Sequence, residues 1–398
     1  MKQSNPRIRF EKFSNKWDNY KLGQLGSFKS GIGFPDSQQG GTEGIPFFKV
    51  SDMNNIGNET EMRNANNYVT QEQIAKNSWN VVKDTPAIIF AKVGAALMLN
   101  RKRLVTKTFL IDNNTMSYSL NKSWDKDFGL TLFQTIYLPK YAQIGALPSY
   151  NASDIATIKV NVPNIQEQTA IGSLFRTLDD LLASYKDNLT NYQSLKATML
   201  SKMFPKDGQT VPEIRLDGFE GEWEEKQFSK LVKRVTKSSD SDLLPKVEFE
   251  DIISGQGRLN KDISSKFDNR KGIHFKPGYT LYGKLRPYLN NWLLPKFEGV
   301  ALGDFWVFDP NGNNSDFIYY LVQSSRYQKV ANDTSGTKMP RSDWKSVSTT
   351  IFVIPQTIAE QQAIGFYFSD LDNLINSYQE KISQLETLKK KLLQDMFI

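Results

Sequence analysis

The stretch from Gln166 to Phe204, QEQTAIGSLFRTLDDLLASYKDNLTNYQSLKATMLSKMF, decides the fold predicted for this chain. Its apolar residues recur at steps of three and four, and no proline interrupts it. This is the pattern of a long amphipathic helix with coiled-coil spacing. About 38 residues at ~1.5 Å each make a rod of roughly 57 Å. Because one apolar stripe runs along so long a helix, the sequence predicts a partner for it.

The chain supplies that partner itself, from Glu360 to Phe397. Moved by 193 positions (360 − 167), the first stretch matches the second one at both its start and its end. An internal duplication of this kind sets the architecture. The matched pairs include Glu167/Glu360, Gln168/Gln361, Ala170/Ala363, Ile171/Ile364, Gly172/Gly365, Leu178/Leu371, Tyr185/Tyr378, Met203/Met396 and Phe204/Phe397.

A second repeat precedes each mixed region. The segment from Pro6 to Trp17 returns as Pro212 to Trp223, an offset of 206 (212 − 6). We expect each segment to lead into a strand, with its Trp filling a domain core. Between the repeats the two halves barely agree, so the scaffold is duplicated and the interiors have diverged. The predicted fold is α+β, with two mixed domains at 1–163 and 206–355 and two long helices at 164–205 and 356–398.

Inside the first domain, runs of apolar residues and turn signals predict individual elements. The second domain has its strand at 281–287 where the first has 89–94. Predicted strands of the first domain are 45–53 (ending in a turn), 86–92 and 155–162, and predicted helices are 71–78 and 126–137.

Composition limits the classes of function. The chain has 398 residues, 39% of them apolar, which is enough for two domains with real cores. It has no Cys, one His (His274) and no run of 18 apolar residues, so we expect no disulfide, thiolate site, His triad or membrane span. The N-terminal segment lacks an apolar signal region, so we expect a cytoplasmic protein. A net charge of +7 is a mild bias toward polyanions.

Catalytic motifs fail when they are checked residue by residue. Gly278–Leu285 approaches a phosphate-binding loop, but Leu285 stands where a hydroxyl would reach magnesium, and the segment is typical of a core strand. Asp309–Gly312 lacks the aromatic residue that would stack on a flipped adenine, so we interpret it as a turn. We therefore predict no catalytic, cofactor-binding or metal-binding residue in this chain.

Basic residues are the better candidates for function. They fall at strand ends and in loops, where they reach either phosphates and guanine edges or solvent alone. The predicted DNA-binding residues are Lys92, Arg101, Lys102 and Arg103 in the first domain, and Lys284, Arg286, Ser335, Thr337, Lys338 and Arg341 in the second.

Several motifs recur in order along the two halves of the chain. They are the Trp segments, IPFFKVSDM (45–53), KLRPYLN (284–290), SGTKMPR (335–341), and P-x(3–4)-EQ-x(2)-IG from Pro163 and from Pro355. Taken in order, these features resemble the specificity subunit of a type I restriction-modification system, and the resemblance covers essentially the whole chain. It departs inside the first domain, which has AKVGAALML where the second has GKLRPYLNN, and GALPSYN without the SGT triplet.

The resemblance implies two target-recognition domains held by an antiparallel coiled coil with approximate two-fold symmetry. Each domain would read one half of a bipartite double-stranded DNA site. Two modification subunits, adenine-N6 methyltransferases using S-adenosylmethionine, and restriction subunits using ATP and Mg would be the partners. The chain itself would carry no cofactor and do no chemistry. Tyr185, Tyr192, Phe366 and Phe368 would belong either to the seam between the helices or to the surface for modification subunits.

Two other classes of function stay open at this stage. A non-catalytic adaptor that binds proteins through its coiled coil would show little dependence on salt, whereas binding through several phosphates weakens log-linearly with salt. An independent enzyme is disfavoured because every catalytic motif fails.

The long helix predicts a molecular ruler. Two readers on a rigid spacer engage one side of a duplex when their half-sites lie roughly 34–36 Å apart. Inserting one helical turn of about four residues within 166–204 lengthens the rod by ~6 Å, which is roughly two base pairs at ~3.4 Å each. We expect the insertion to widen the tolerated gap between half-sites and to leave both half-site sequences unchanged. Mapping the DNA target of the insertion variant checks this, and altered half-sites would contradict the ruler.

Overall fold

The computed structural model describes residues 6–143, 147–266, 269–333 and 338–397. The chain divides into two compact units, Met1–Lys186 with Lys381–Ile398, and Asp187–Glu380. Each unit therefore contains the beginning of one long helix and the end of the other.

Most of the first unit is built from short strands and helices. Its strands are β1 (Asp18–Lys21), β2 (Gly26–Ser30), β3 (Ile45–Phe48), β4 (Tyr68–Val69), β5 (Ala87–Ala91), β6 (Lys102–Val105), β7 (Leu110–Ile111), β8 (Thr115–Leu120) and β9 (Lys159–Val162). Its helices are α1 (Leu22–Leu25), α2 (Gln71–Lys76), α3 (Ala95–Met98), α4 (Lys126–Thr135) and α5 (Ala152–Ala156). The long helix α6 (Ile165–Lys202) begins in this unit and ends in the second.

The second unit has a similar composition of elements. Its strands are β10 (Glu224–Gln227), β11 (Lys233–Val235), β12 (Ser238–Ser239), β13 (Lys246–Val247), β14 (Ile252–Ile253), β15 (Arg258–Leu259), β16 (Gly272–Phe275), β17 (Thr280–Gly283), β18 (Trp292–Leu293), β19 (Gly299–Ala301), β20 (Phe305–Asp309) and β21 (Ile351–Ile354). Its helices are α7 (Phe228–Leu231), α8 (Ser315–Leu321), α9 (Ser325–Ala331) and α10 (Trp344–Thr349). The long helix α11 (Ile358–Asp395) begins in this unit and ends in the first.

The two units share a sheet topology that the sequence barely shows. In the first unit one sheet has the strand order β2-β8-β5-β6, and in the second the corresponding order is β11-β20-β17-β18. In both sheets a fully buried strand, β5 or β17, pairs antiparallel with both of its neighbours. Buried on both faces, such strands are continuous apolar runs, which is why the strand at 86–92 was recognisable from its sequence.

The long helices pair antiparallel within each unit. In the first unit Lys389 contacts Asp179, and Lys186 binds Glu386 at 2.7 Å. Residue numbers rise along α6 as they fall along α11, so the two helices are antiparallel. In the second unit Lys196 binds Asp372 at 2.7 Å. The rings of Tyr192 and Tyr378 lie 5.4 Å apart there. The predicted antiparallel coiled coil is confirmed.

A buried carboxylate at the start of α6 fastens the N-terminal segment to the first unit. Glu167 is fully buried and accepts two hydrogen bonds from Arg9, at 2.6 and 2.7 Å. The indole Nε1 of Trp17 donates to the same carboxylate at 3.3 Å. The hydrogen bond to Glu167 raises the pKa of Arg9. Three groups that are far apart in sequence thus satisfy one another away from water, as a buried charge requires.

The second unit repeats this arrangement. Glu360 accepts hydrogen bonds from Arg215 at 2.7 and 2.8 Å and from the Nε1 of Trp223 at 3.1 Å. Both Trp side chains are 4% exposed, so the prediction that each fills a core is confirmed.

The next residues of the EQ-x(2)-IG motif attach each long helix to a shorter one. Gln168 accepts from the backbone N–H of Asp125, the N-cap of α4, at 3.0 Å. Gln361 accepts from the N–H of Asn314, the N-cap of α8, also at 3.0 Å. A Cβ on Gly172 would lie 2.6 Å from the Phe128 nitrogen, so only glycine allows this close approach.

Aromatic side chains at the ends of the helices complete each core. Phe397 packs its ring against Trp17, Phe128 and Phe175 in the first unit. In the second unit Phe204 stacks with Phe368 at 6.1 Å. The MF pair that closes each repeat is therefore core, and it explains why the repeats end where they do.

One predicted strand, at 155–162, is partly wrong. Residues Ala152–Ala156 form a helix, and the strand covers only Lys159–Val162. Asn151 starts this helix, and its backbone N–H donates to the side chain of Asp154 at 2.8 Å. This local capping outweighs the alternating pattern. The predicted strand at 45–53 covers Ile45–Phe48 and continues as a 3-10 helix over Val50–Asn54.

Replacing Glu167 with Ala should destabilise the first unit by about 3–5 kcal/mol, because Arg9 and Trp17 would keep buried donors without an acceptor. Native-state hydrogen exchange of the β5 amides measures this loss. The matched control is Glu386→Ala, which removes an exposed partner of Lys186, with side chains 51% and 55% exposed. That change should cost less than about 1 kcal/mol. Equal losses in the two variants would contradict the role assigned to Glu167.

Candidate nucleic-acid interface

The end of β17 brings together basic residues that are far apart in sequence. Leu285 pairs antiparallel with Arg341, and the N–H of Arg286 donates to Pro340 O at 2.7 Å. The predicted residues Lys284, Arg286 and Arg341 therefore lie in one cluster of loops.

Asp304, immediately before β20, sits at the centre of this cluster. Its carboxylate lies 2.9 Å from the guanidinium of Arg341 and 3.6 Å from the ammonium of Lys284. The N–H of Lys284 also donates to Asp304 O at 2.9 Å. Sequence reasoning missed Asp304, since a single acid before a strand carries no motif. Arg270 and Lys271 line the same cleft as Asp304, together with Glu248 and Glu250, and sequence reasoning missed them because they belong to no motif.

Arg286 and Lys338 have exposed side chains. The backbone of Arg286 has a φ of 48°, in the left-handed region that residues other than glycine rarely adopt. Such a conformation persists only where the surrounding structure holds it, and it occurs often at binding sites. Ser335 and Thr337 lie outside the described residues.

The first unit has the same loop frame with other side chains. The N–H of Lys92 donates to Asn114 O at 2.9 Å, and the N–H of Gly94 donates to Pro148 O at 2.9 Å. Gly94 has a φ of 77° at the place that Arg286 holds in the second unit. The arginine is thus replaced by a residue with no side chain. Lys92 is half-buried.

The basic residues 101–103 differ in how deeply their side chains are buried. Arg101 binds the side chain of Asn54. Lys102 is 4% exposed, and its ammonium donates to Asn100 Oδ1 at 2.7 Å and to Ile136 O at 2.6 Å. Arg103 donates to backbone carbonyls, and burial lowers its pKa. These hydrogen bonds tie the buried Lys102 and the half-buried Arg103 to the first domain.

The four residues predicted to bind partners also differ in burial. Phe368 is fully buried in the core of the second unit, and the ring of Tyr192 packs at a tilt of 37° against that of Tyr378 in the helix pair. The ammonium of Lys381 lies 5.8 Å from the ring of Tyr185. Only Phe366 of these four is strongly exposed, at 72%.

The segments that approach catalytic motifs have structural roles. Thr280–Gly283 is a strand within a sheet, as its pattern predicts. Asp309 accepts from the N–H of Asn311 at 2.9 Å in the turn predicted there. Over the described ranges, no group of three His, Asp or Glu side chains could hold a metal ion. Every helix of the described chain is too short or too polar to span a bilayer.

Comparison with protein families gives a match over 14–191 and 223–387 to the type I restriction modification DNA specificity domain. The chain belongs to this family. The first matched stretch contains the loop after β5 and most of α6, and the second contains the loop after β17 and most of α11. The duplication seen in the sequence is therefore a duplication of the family domain.

Solved structures agree at the level of the fold. The S subunit of a type I restriction-modification system from M. genitalium superposes with a TM-score of 0.66 at 14% identity, covering 99% of each chain. A chain from a study of complex assembly and conformational transition of the type I R-M system gives a TM-score of 0.51 at 13% identity, covering 95% of this chain and 96% of that one. Comparison with curated protein sequences gives no match.

Lys102 should make the stability of the first unit depend on pH. Burial lowers its pKa from the ordinary 10.5 to about 7. Between these values the unfolded chain binds a proton that the folded chain does not, so stability rises with pH. Relative to Lys102→Met, the wild-type free energy of unfolding should rise by up to ~1.4 kcal/mol per pH unit above pH 7. Urea unfolding of both proteins between pH 6 and 9 measures it, with the exposed Lys122→Met as control. A difference between wild type and Lys102→Met that is independent of pH would contradict the assignment.

Proposed function

We propose that this chain is the DNA-reading subunit of a type I restriction-modification complex and that each unit reads one half of a bipartite site. The observation that carries the proposal is that the loops after β5 and after β17 have the same backbone arrangement and different side chains. The backbone N–H of Lys92 donates to Asn114 O in the first unit, and the N–H of Lys284 donates to Asp304 O in the second. One frame with two sets of side chains suits one mode of reading applied to two sequences.

The electrostatics of the second unit support contact with a duplex. Exposed Arg286 and Lys338 lie beside Arg341 on loops, where cations reach phosphates and arginine reaches the O6 and N7 atoms of guanine. A subunit that reads DNA works where the DNA is, so the proposal keeps the cytoplasmic location expected from the sequence.

Catalysis belongs, in this proposal, to partner subunits. Two modification subunits would bring adenine-N6 methylation with S-adenosylmethionine, and restriction subunits would bring ATP and Mg chemistry. The number two is what the resemblance to specificity subunits implies. Phe366 is the partner-binding candidate that is exposed enough to serve.

A protein adaptor is the second candidate, and the exposed ring of Phe366 is the observation that favours it. The two functions differ in their response to salt. Binding through six or more phosphates should fall by about 10³-fold or more between 50 and 200 mM salt, whereas an adaptor held by apolar contacts should change little.

The decisive test is a methylation map. The chain is co-expressed with its candidate modification subunit in a host without adenine methylation, and modified adenines are located by sequencing. We expect a bipartite, asymmetric motif with a fixed gap. Exchanging residues 208–355 for the matching region of another family member should change one half of that motif and leave the other half as it was.

Two results would contradict the proposal. One is the absence of methylation from an assembled complex that binds its cofactor. The other is a domain exchange that alters both half-sites. Duplex binding that ignores salt would favour the adaptor.

A further inference from the structure

The loops after β5 and β17 differ in charge at one equivalent position. In the second unit Gly283 of β17 pairs with Phe305, so Asp304 is the residue just before the paired strand. In the first unit Ala91 of β5 pairs with Thr115, which places Asn114 at the same point. Each of these two residues accepts the backbone N–H of the lysine that follows the buried strand. Asp304 and Asn114 are therefore equivalent by hydrogen bonding as well as by register.

Their side chains do different things. The amide of Asn114 donates to Asp112 Oδ2 at 3.3 Å and forms part of a turn. The carboxylate of Asp304 binds Arg341 at 2.9 Å and lies 3.6 Å from Lys284. A negative charge thus stands among the basic residues of the second unit, at a place where the first unit has a neutral amide.

Stability does not account for this charge. The side chain of Arg341 is 57% exposed, so solvent screens its ion pair with Asp304, and the ion pair between Asp304 and Lys284 is long, at 3.6 Å. Ion pairs of this kind contribute little to folding. The first unit forms the same loop without one.

The carboxylate does matter for a duplex. It repels phosphate, and it engages cations that would otherwise bind phosphates without regard to sequence. It also accepts hydrogen bonds, and acidic side chains in a groove accept from the exocyclic amino group of cytosine. The guanidinium of Arg341, 2.9 Å from this carboxylate, and the exposed Arg286 of the same loop cluster supply donors of the kind that reads guanine.

We propose that Asp304 is a specificity-determining residue of the second recognition domain. It holds Lys284 and Arg341 off the phosphates, and it accepts a hydrogen bond from an exocyclic amino group of one base in one half-site. This rests on the proposed DNA-reading function.

The test is Asp304→Asn in the full chain co-expressed with the modification subunit. Asn occupies the equivalent place in the first unit, so the loop frame should tolerate it, and thermal unfolding checks that the variant folds. In the methylation map we expect one position of one half-site to become degenerate, while the gap and the other half-site stay the same. Binding to random-sequence duplex should strengthen about 3–10-fold, and the log–log salt slope should steepen by about one for each of the two cations that is freed to contact a phosphate.

The matched control is Asp309→Asn, which removes the same charge from the other end of β20. Asp309 accepts the hydroxyl of Tyr279 at 3.0 Å and is not part of the basic cluster. This variant should keep the wild-type motif and salt slope. A second test variant, Asp304→Glu, keeps the charge but extends its reach, so it should leave random-duplex binding near wild type while changing the same half-site position.

The outcomes separate the two levels of the argument. If the wild-type complex gives no bipartite motif, the DNA-reading function fails whatever Asp304 does. If wild type gives a bipartite motif and folded Asp304→Asn gives the identical motif, the role of Asp304 is overturned and the DNA-reading function stands. Relaxation by Asp309→Asn equal to that by Asp304→Asn would also overturn the role, since it would be an effect of net charge.

Discussion

A buried carboxylate at the start of each long helix is the constraint on which the rest of the structure depends. Glu167 and Glu360 are 0% and 3% exposed, and a carboxylate buried this deeply is tolerable only with charged and hydrogen-bonding partners. Those partners, an arginine and a tryptophan, come from a segment more than 130 residues earlier in the chain. The Trp ring fills the core, and its N–H donates to the carboxylate. Packing the core therefore also joins the segment before each mixed region to the start of the long helix that follows it.

Because the core is held by these contacts, the side chains of the loops after β5 and β17 can vary. The sheets keep the orders β2-β8-β5-β6 and β11-β20-β17-β18, and the loop after the buried strand is held by backbone atoms. Backbone hydrogen bonds do not depend on which side chain is present. Gly94 and Arg286 can therefore occupy equivalent places, as can Asn114 and Asp304. A frame of this kind changes its contact surface without rebuilding its core.

The sequence predicted what is periodic or repeated and missed what depends on tertiary position. The long helices were predictable because their apolar spacing is local, and α6 and α11 begin and end within three residues of the expected bounds. The repeated EQ-x(2)-IG motif located the helix starts, although its role in binding Arg9, Trp17 and the α4 cap was not readable. Lys102 looked like a surface cation because its acceptor, Ile136 O, lies 34 residues away. Phe368 and exposed Phe366 share one helix, and only the packing of the helix separates them.

The two candidate surfaces also show why a count of basic residues is a poor measure of affinity for DNA. Each unit offers several cations in its predicted set, yet Lys102 and Arg103 donate to carbonyl oxygens inside the first unit. Moving them to phosphate would break hydrogen bonds that satisfy buried acceptors, at about 1–3 kcal/mol for each group left unpaired. Arg341 needs only to leave an ion pair that solvent already screens. Charges of equal sign are thus unequally available to DNA, because each cation would have to break different hydrogen bonds or ion pairs to reach a phosphate.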